Sequence, residues 1–143
     1  MGKVSIVYWS GTGNTEAMAA AMAEGAKDAG AEVELLTVDK ADAAALSEAK
    51  AFALGCPAMG AEVLEEGEME PFMAELDSQI AGKTIALFGS YGWGGGEWMR
   101  DWESRVVSDG AAVLSGEGII ADNAPDDDVL AECRAAGAKL AAL

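Results

Sequence analysis

Hydrophobic and polar positions divide this chain into short unbroken apolar runs separated by longer stretches of mixed character. The runs at 3–9 (KVSIVYW), 32–38 (EVELLTV), 51–56 (AFALGC), 84–90 (TIALFGS) and 111–120 (AAVLSGEGII) read as strands. The stretches 15–29, 71–80, 97–108 and 125–143 read as helices, and the Ala-rich 41–50 as a short one. Gly30, Gly82 and Gly110 follow three of these helices, where a left-handed residue often closes the last turn. Five strand–helix units with near-continuous apolar strands predict an α/β fold, a parallel sheet covered by helices on both faces in one domain spanning 1–143.

Charge narrows the functions open to such a domain. Nine Lys and Arg against 25 Asp and Glu give a net charge of −16, and there is no His. Nucleic acid is excluded as a partner, because phosphate contacts require clustered cations; basic proteins are the natural partners. Cys56 and Cys133 are far apart and lack metal-ligand spacing, so they read as reduced and buried. The first apolar run is too short for a signal-peptide core, and no stretch approaches the roughly 20 residues of a membrane span. The chain opens Met1-Gly2, but Ile6 stands where myristoylation needs Ser or Thr. A cytoplasmic protein away from membranes is the expectation.

In open parallel sheets, ligands bind beyond the C-terminal ends of the strands. Three strand ends here run into loops richer in small residues than a turn requires: SGTGNT, CPAMGAEVLEE and SYGWGGGEW. In the first, Gly11 and Gly13 allow close backbone approach, while Ser10, Thr12 and Thr15 supply hydroxyls ahead of a helix whose first N–H groups lack partners. That is an anion site without cations, or else a tight turn in which Thr12 or Asn14 caps the helix. A triphosphate loop needs Lys after its last Gly, where Asn14 stands, and the dinucleotide pattern GxGxxG meets Glu16 at its third glycine. A single phosphate monoester fits better. A phosphatase reading of Cys56 needs Arg at position 62, where Glu62 stands, and the first strand ends without the paired acidic residues of a Mg²⁺ site.

The loop Ser10-Gly11-Thr12-Gly13-Asn14-Thr15 fits the [ST]-x-T-G-x-T pattern of flavodoxins, and GCPAMG and LFGSYGWG resemble the second and third flavin loops of the short-chain anaerobic members. The resemblance spans the whole chain, with all three loops in order. It implies a three-layer, five-stranded doubly wound sheet in the order 2-1-3-4-5 that binds FMN noncovalently. The resemblance puts Ser10, Gly11, Thr12, Gly13, Asn14, Thr15 and Ser90 on the phosphate. Tyr91, Gly92, Trp93 and Gly94 form a loop over the ring, with Trp93 stacked on it. Trp98 and Trp102, four apart, read instead as core.

By the same resemblance, Pro57, Ala58, Met59, Gly60, Ala61 and Glu62 form the loop that controls reduction. The Gly60 carbonyl turns toward flavin N5 when that atom is protonated, and Glu62 accepts from flavin N3. Ala61 stands where family members often carry Asp or Ser. A four-residue turn centred on Gly60 and Ala61 would require positive φ at Ala61, at roughly 1–2 kcal/mol. Glu65, Glu66, Glu68 and Glu70 read as a solvated acidic surface.

The implied function is a low-potential one-electron carrier serving ferredoxin- or flavodoxin-dependent oxidoreductases with basic docking faces, as a monomer. The net charge of −16, with Glu62, Asp122 and Asp126 near the flavin, opposes adding a further negative charge and favours a low second potential. The alternative is an FMN-dependent reductase of a quinone or small molecule. The absence of His and of a second domain for a nicotinamide cofactor favours the carrier.

Overall fold

The computed structural model describes residues 3–143; Met1 and Gly2, where the failed acylation pattern begins, lie outside the described residues. The chain runs β1 (Lys3–Tyr8), α1 (Asn14–Asp28), β2 (Glu32–Thr37), α2 (Ala43–Leu46), β3 (Ala51–Gly55), α3 (Met69–Leu76), β4 (Thr84–Tyr91), α4 (Glu97–Ser108), β5 (Ala112–Val113), β6 (Ile119–Asp122) and α5 (Asp127–Ala141). All paired strands are parallel, in the order β2-β1-β3-β4-β5, with β6 also on β4. The order is the expected 2-1-3-4-5.

The fifth strand is where the sequence pattern misleads. The run 111–120 contains Ser115-Gly116-Glu117-Gly118, and the chain breaks there into a short 3₁₀ turn with Ser115 at φ 63° and Gly116 at φ 87°. Two short strands on either side share β4 as neighbour, at Thr84–Ile85 and at Phe88–Tyr91. Gly30, Gly82 and Gly110 take the expected left-handed conformation, with φ of 94°, 82° and 95°.

Side chains alternate along each strand, so one sheet builds two cores. Val4, Ile6, Tyr8, Ala53 and Phe88 meet α1 and α5, whereas Val7, Phe52, Leu54, Ile85 and Leu87 meet α3 and α4. Trp98 and Trp102 are fully buried in the second core, as expected, and Trp98 Nε1 donates to the Cys56 carbonyl at 3.0 Å. The first core is largely alanine on the helices, which lets α1 and α5 lie close together. Gly25 and Gly137 are the contact points: a methyl on Gly137 would run into the Met22 carbonyl, and one on Gly25 into that of Arg134.

The acidic segment after β3 is more than a solvated surface. Glu65 accepts from the N–H groups of Gly67, Glu68 and Met69 at 2.7–3.0 Å, capping the start of α3. Partial burial pushes its carboxyl upward, yet these three bonds bring it below the usual range. Glu68 accepts from Trp9 Nε1 at 3.3 Å. Glu70 and Asp77 share Arg105, which reaches Glu70 through two 2.8 Å bonds and Asp77 at 2.7 Å. Glu66 stays on the solvated surface.

Asp109, at the C-terminus of α4, completes this cluster, and its Oδ2 is buried without a hydrogen-bond donor. Desolvation, then the hydrogen bond to Asp77 and that residue's charge, push the Asp109 carboxyl up to about 6, with Arg105 opposing. Asp77 moves the other way: burial raises it, but the Arg105 and Asp109 bonds and the Arg105 charge hold it below its ordinary value. The two neighbouring carboxyls are thus driven apart, Asp77 toward the ionised form and Asp109 toward the protonated one.

Two outcomes follow from this packing. Gly137→Ala should lower stability by about 1–3 kcal/mol in equilibrium urea denaturation, since a backbone atom cannot step aside as a side-chain tip can. The raised Asp109 contributes stability that is complete below its unfolded value of 3.8 and is lost as pH rises through about 6. Asp109→Asn should therefore melt higher than the parent at pH 8 and converge with it near pH 4. Parallel melting curves between those pH values would remove the raised Asp109.

Candidate functional site

Three loops meet beyond the C-terminal ends of β1, β3 and β4. The first is shaped by Ser10, whose Oγ accepts from the N–H groups of Gly13 (3.1 Å) and Glu16 (3.3 Å). Gly13 occupies the position before α1 at φ 96° and offers no side chain to cap the helix. The N–H groups of Gly11, Thr12, Asn14 and Thr15 therefore have no protein acceptor among the hydrogen bonds of the described residues. Neither Thr12 nor Asn14 caps the helix, so the tight-turn reading gives way to a cradle of donors at a helix start.

Thr15 and Ser90 are buried together, 1% and 5% exposed, although they lie 75 residues apart. The Ser90 N–H donates to Thr15 Oγ1 at 3.4 Å, and the two hydroxyl oxygens are 3.5 Å apart. They lock α1 to the end of β4. Further backbone bonds fix the loops to one another, from the Ala58 N–H to the Ser90 carbonyl (3.0 Å) and from the Asn123 N–H to the Tyr91 carbonyl (2.7 Å).

A cleft of about 220 Å³ opens between these loops. One end is lined by Gly11, Thr12 and Asn14, with Ser90. Pro57, Ala58 and Met59 wall one side, and Tyr91, Gly92 and Trp93 the other. Trp93 is 53% exposed, in contrast to the buried Trp98 and Trp102, so its ring has little protein to pack against. Trp9, which the sequence did not point to, and Asn123, which it left open against Asp122, complete the lining. Trp9 directly precedes Ser10 and lies against Gly11, where a Cβ would come within 3.2 Å of its ring. Asn123 sits at φ 60°, a conformation Asn tolerates, so its place between Asp122 and Pro125 was the available signal.

The remaining expected residues stand beside the cleft and shape it. Ser10, Gly13 and Thr15 form the first loop from behind. Gly60, Ala61 and Glu62 form a three-residue connection, with Met59 and Val63 bonded to each other in both directions at 2.9 Å. This corrects the turn expected from the sequence. The left-handed residues are Gly60 (φ 48°) and Glu62 (φ 57°), and Ala61 carries no positive φ, because the connection spans Met59 to Val63 rather than four residues ending at Glu62. The Gly60 carbonyl accepts from Trp93 Nε1 at 3.1 Å, and Gly94 lies against the Glu62 carboxylate.

A roomier cleft of about 440 Å³ lies over β1 and β2, lined by Lys3, Glu34, Lys40, Asp42 and Glu48 among others. Burial pushes the thiols of Cys56 and Cys133 up to about 12, so neither is a nucleophile at neutral pH. Among the described residues, no group of three His, Cys, Asp or Glu could hold a metal ion.

The donor set suits a phosphate and the aromatic walls suit a flat ring. The family model for flavodoxin matches residues 6–137. The chain is 48% identical over 124 residues to a flavodoxin of Clostridium beijerinckii, covering 87% of this chain and 89% of that one. It is 47% identical over 135 residues to a flavodoxin of Megasphaera elsdenii, covering 92% and 98%. The solution structure of two-electron reduced Megasphaera elsdenii flavodoxin superposes with a TM-score of 0.86 at 45% identity, over 95% of this chain and 98% of that one. With relatives this similar over nearly their full lengths, the chain belongs to the flavodoxin family and is an FMN-binding electron carrier.

Proposed function

We propose that FMN lies with its phosphate in the loop Ser10–Thr15, on the N–H groups of Gly11, Thr12, Asn14 and Thr15 and the Ser10 hydroxyl, and its ring between the Met59 and Trp93 loops. The observation that carries this reading is the set of four unclaimed N–H groups at the start of α1, beside a cleft walled by an exposed tryptophan. Ser10 Oγ already accepts twice, so its hydroxyl hydrogen is free for an anion. Gly13 shapes the loop, and the Ser90–Thr15 contact anchors it from below.

When bound, FMN supplies the electron-accepting ring; the chain's own residues hold it, shield it and set the charge around it. The protein is an electron-transfer protein rather than an enzyme, and its partners are redox proteins. Its net charge of −16 supports partners with basic docking faces, ferredoxin- or flavodoxin-dependent oxidoreductases, met by a monomer whose encounters weaken as salt rises. None of its described helices is long and apolar enough to cross a membrane, which fits a cytoplasmic carrier.

Titrating flavin into the flavin-free protein tests both ends of the cleft. Thr12→Val should weaken FMN by about 10- to 100-fold, the worth of a hydrogen bond to a charged group, and leave riboflavin nearly unchanged. Equal losses for both ligands would take this loop off the phosphate. Trp93→Ala should weaken oxidised FMN and riboflavin alike, by about 2- to 10-fold, without lowering the melting temperature of the flavin-free protein. Unchanged affinity would mean that Trp93 does not cover the ring.

A further inference from the structure

The loop that carries Trp93 is almost devoid of side chains that could fix it: Gly92, Gly94, Gly95 and Gly96 surround the tryptophan. Such a run is costly to order, and its own residues offer α4 no cap. The missing cap comes from another loop. Glu62 Oε1 accepts from the N–H of Gly96 at 3.1 Å and from that of Glu97 at 3.0 Å, the first donors of α4. Glu62 reaches them from a left-handed backbone (φ 57°) that non-glycine residues rarely adopt. Its carboxylate lies where a methyl on Gly94 would be. Two more bonds hold the same segment: Trp93 Nε1 to the Gly60 carbonyl at 3.1 Å, and the Arg100 guanidinium to the Gly95 carbonyl at 2.6 Å.

We propose that Glu62 is a positioning residue that caps α4 from outside and thereby fixes the glycine loop bearing Trp93, and that position 94 is glycine both for its backbone at φ 76° and so that the carboxylate can pass. The two ring-side loops are then one mechanical unit, tied in opposite directions by a carboxylate from the first and an indole from the second. The effect on flavin rests on the reading above, in which Trp93 covers the ring; the cap itself does not. A flavin contact through Glu62 Oε2 is compatible with the cap, because both helix donors use Oε1.

The test compares Glu62→Gln, Glu62→Asp, Glu62→Ala and Gly94→Ala in the FMN-loaded protein, by amide hydrogen exchange at Gly96 and Glu97, with FMN and riboflavin titrations of the flavin-free forms. Asp, one methylene too short, and Ala should both speed exchange at these two amides about fivefold, the usual worth of a cap. Both should weaken FMN and riboflavin by the same factor, and Gln, which still accepts, should restore both readouts. Gly94→Ala should reproduce the loss with the carboxylate present, and the double variant with Glu62→Ala should be no worse than the worse single. Unchanged exchange in Glu62→Ala overturns the cap. Weakened flavin in Glu62→Ala with full affinity in Gly94→Ala overturns positioning in favour of direct ring contact alone. Trp93→Ala run in parallel separates the two readings. If it keeps full affinity, the ring-covering reading is what fails, and the exchange rates alone decide the cap.

Discussion

A chain with net charge −16 that must hold a phosphate has to create positive potential without attracting every other anion. A lysine in the loop would do it, but the first loop contains none, and in the proposed placement the work falls to the start of α1. Partial charges on backbone N–H groups act only at short range and only along their own axes. The helix must therefore be held rigidly, which gives the remote packing a functional meaning. Gly25 and Gly137 let α1 seat closely on α5, and Thr15 with Ser90 pins its first turn to the end of β4.

The opposite face of the sheet solves a related problem with the opposite charge. Neither α3 nor α4 begins with a residue whose side chain caps it, yet both starts are satisfied by glutamates from the segment after β3, Glu65 for α3 and Glu62 for α4. A segment that looks like surplus surface acidity is thus consumed in part by helix ends, where negative charge is favourable. Glu70 is consumed by Arg105, which also holds Asp77 beside Asp109. Most of the remaining carboxylates are exposed and supply the long-range field.

Tertiary contact also explains why the two tryptophans of α4 and the one in the preceding loop differ. Trp98 is enclosed, with its N–H on the Cys56 carbonyl, and Trp102 places its N–H 3.4 Å from Met73 Sδ. Trp93 has its N–H on the Gly60 carbonyl and its ring at the cleft. The same residue type is core in two places and a cleft wall in the third, according to whether an apolar neighbour or open space lies above it.

The sequence alone determined the parallel α/β layering, through apolar runs too continuous for one-sided strands, and the loops that form the cleft, through glycine and hydroxyl residues placed at strand ends. The strand order 2-1-3-4-5 and the identity of the cofactor were legible through the three flavodoxin-like motifs taken together. What the sequence did not reveal depends on residues brought together from afar. The break in the fifth strand is decided by how Ser115 and Gly116 leave β4, and Trp9 and Asn123 join the cleft only because the ends of β1 and β6 lie beside it. The left-handed conformation falls on Glu62 rather than Ala61 because Met59 pairs with Val63. The glutamates that cap α3 and α4 look in sequence like any acidic run. A local pattern records which side chains are apolar and where the backbone can bend; which donor a carboxylate meets is a property of two segments at once, and only the folded chain fixes it.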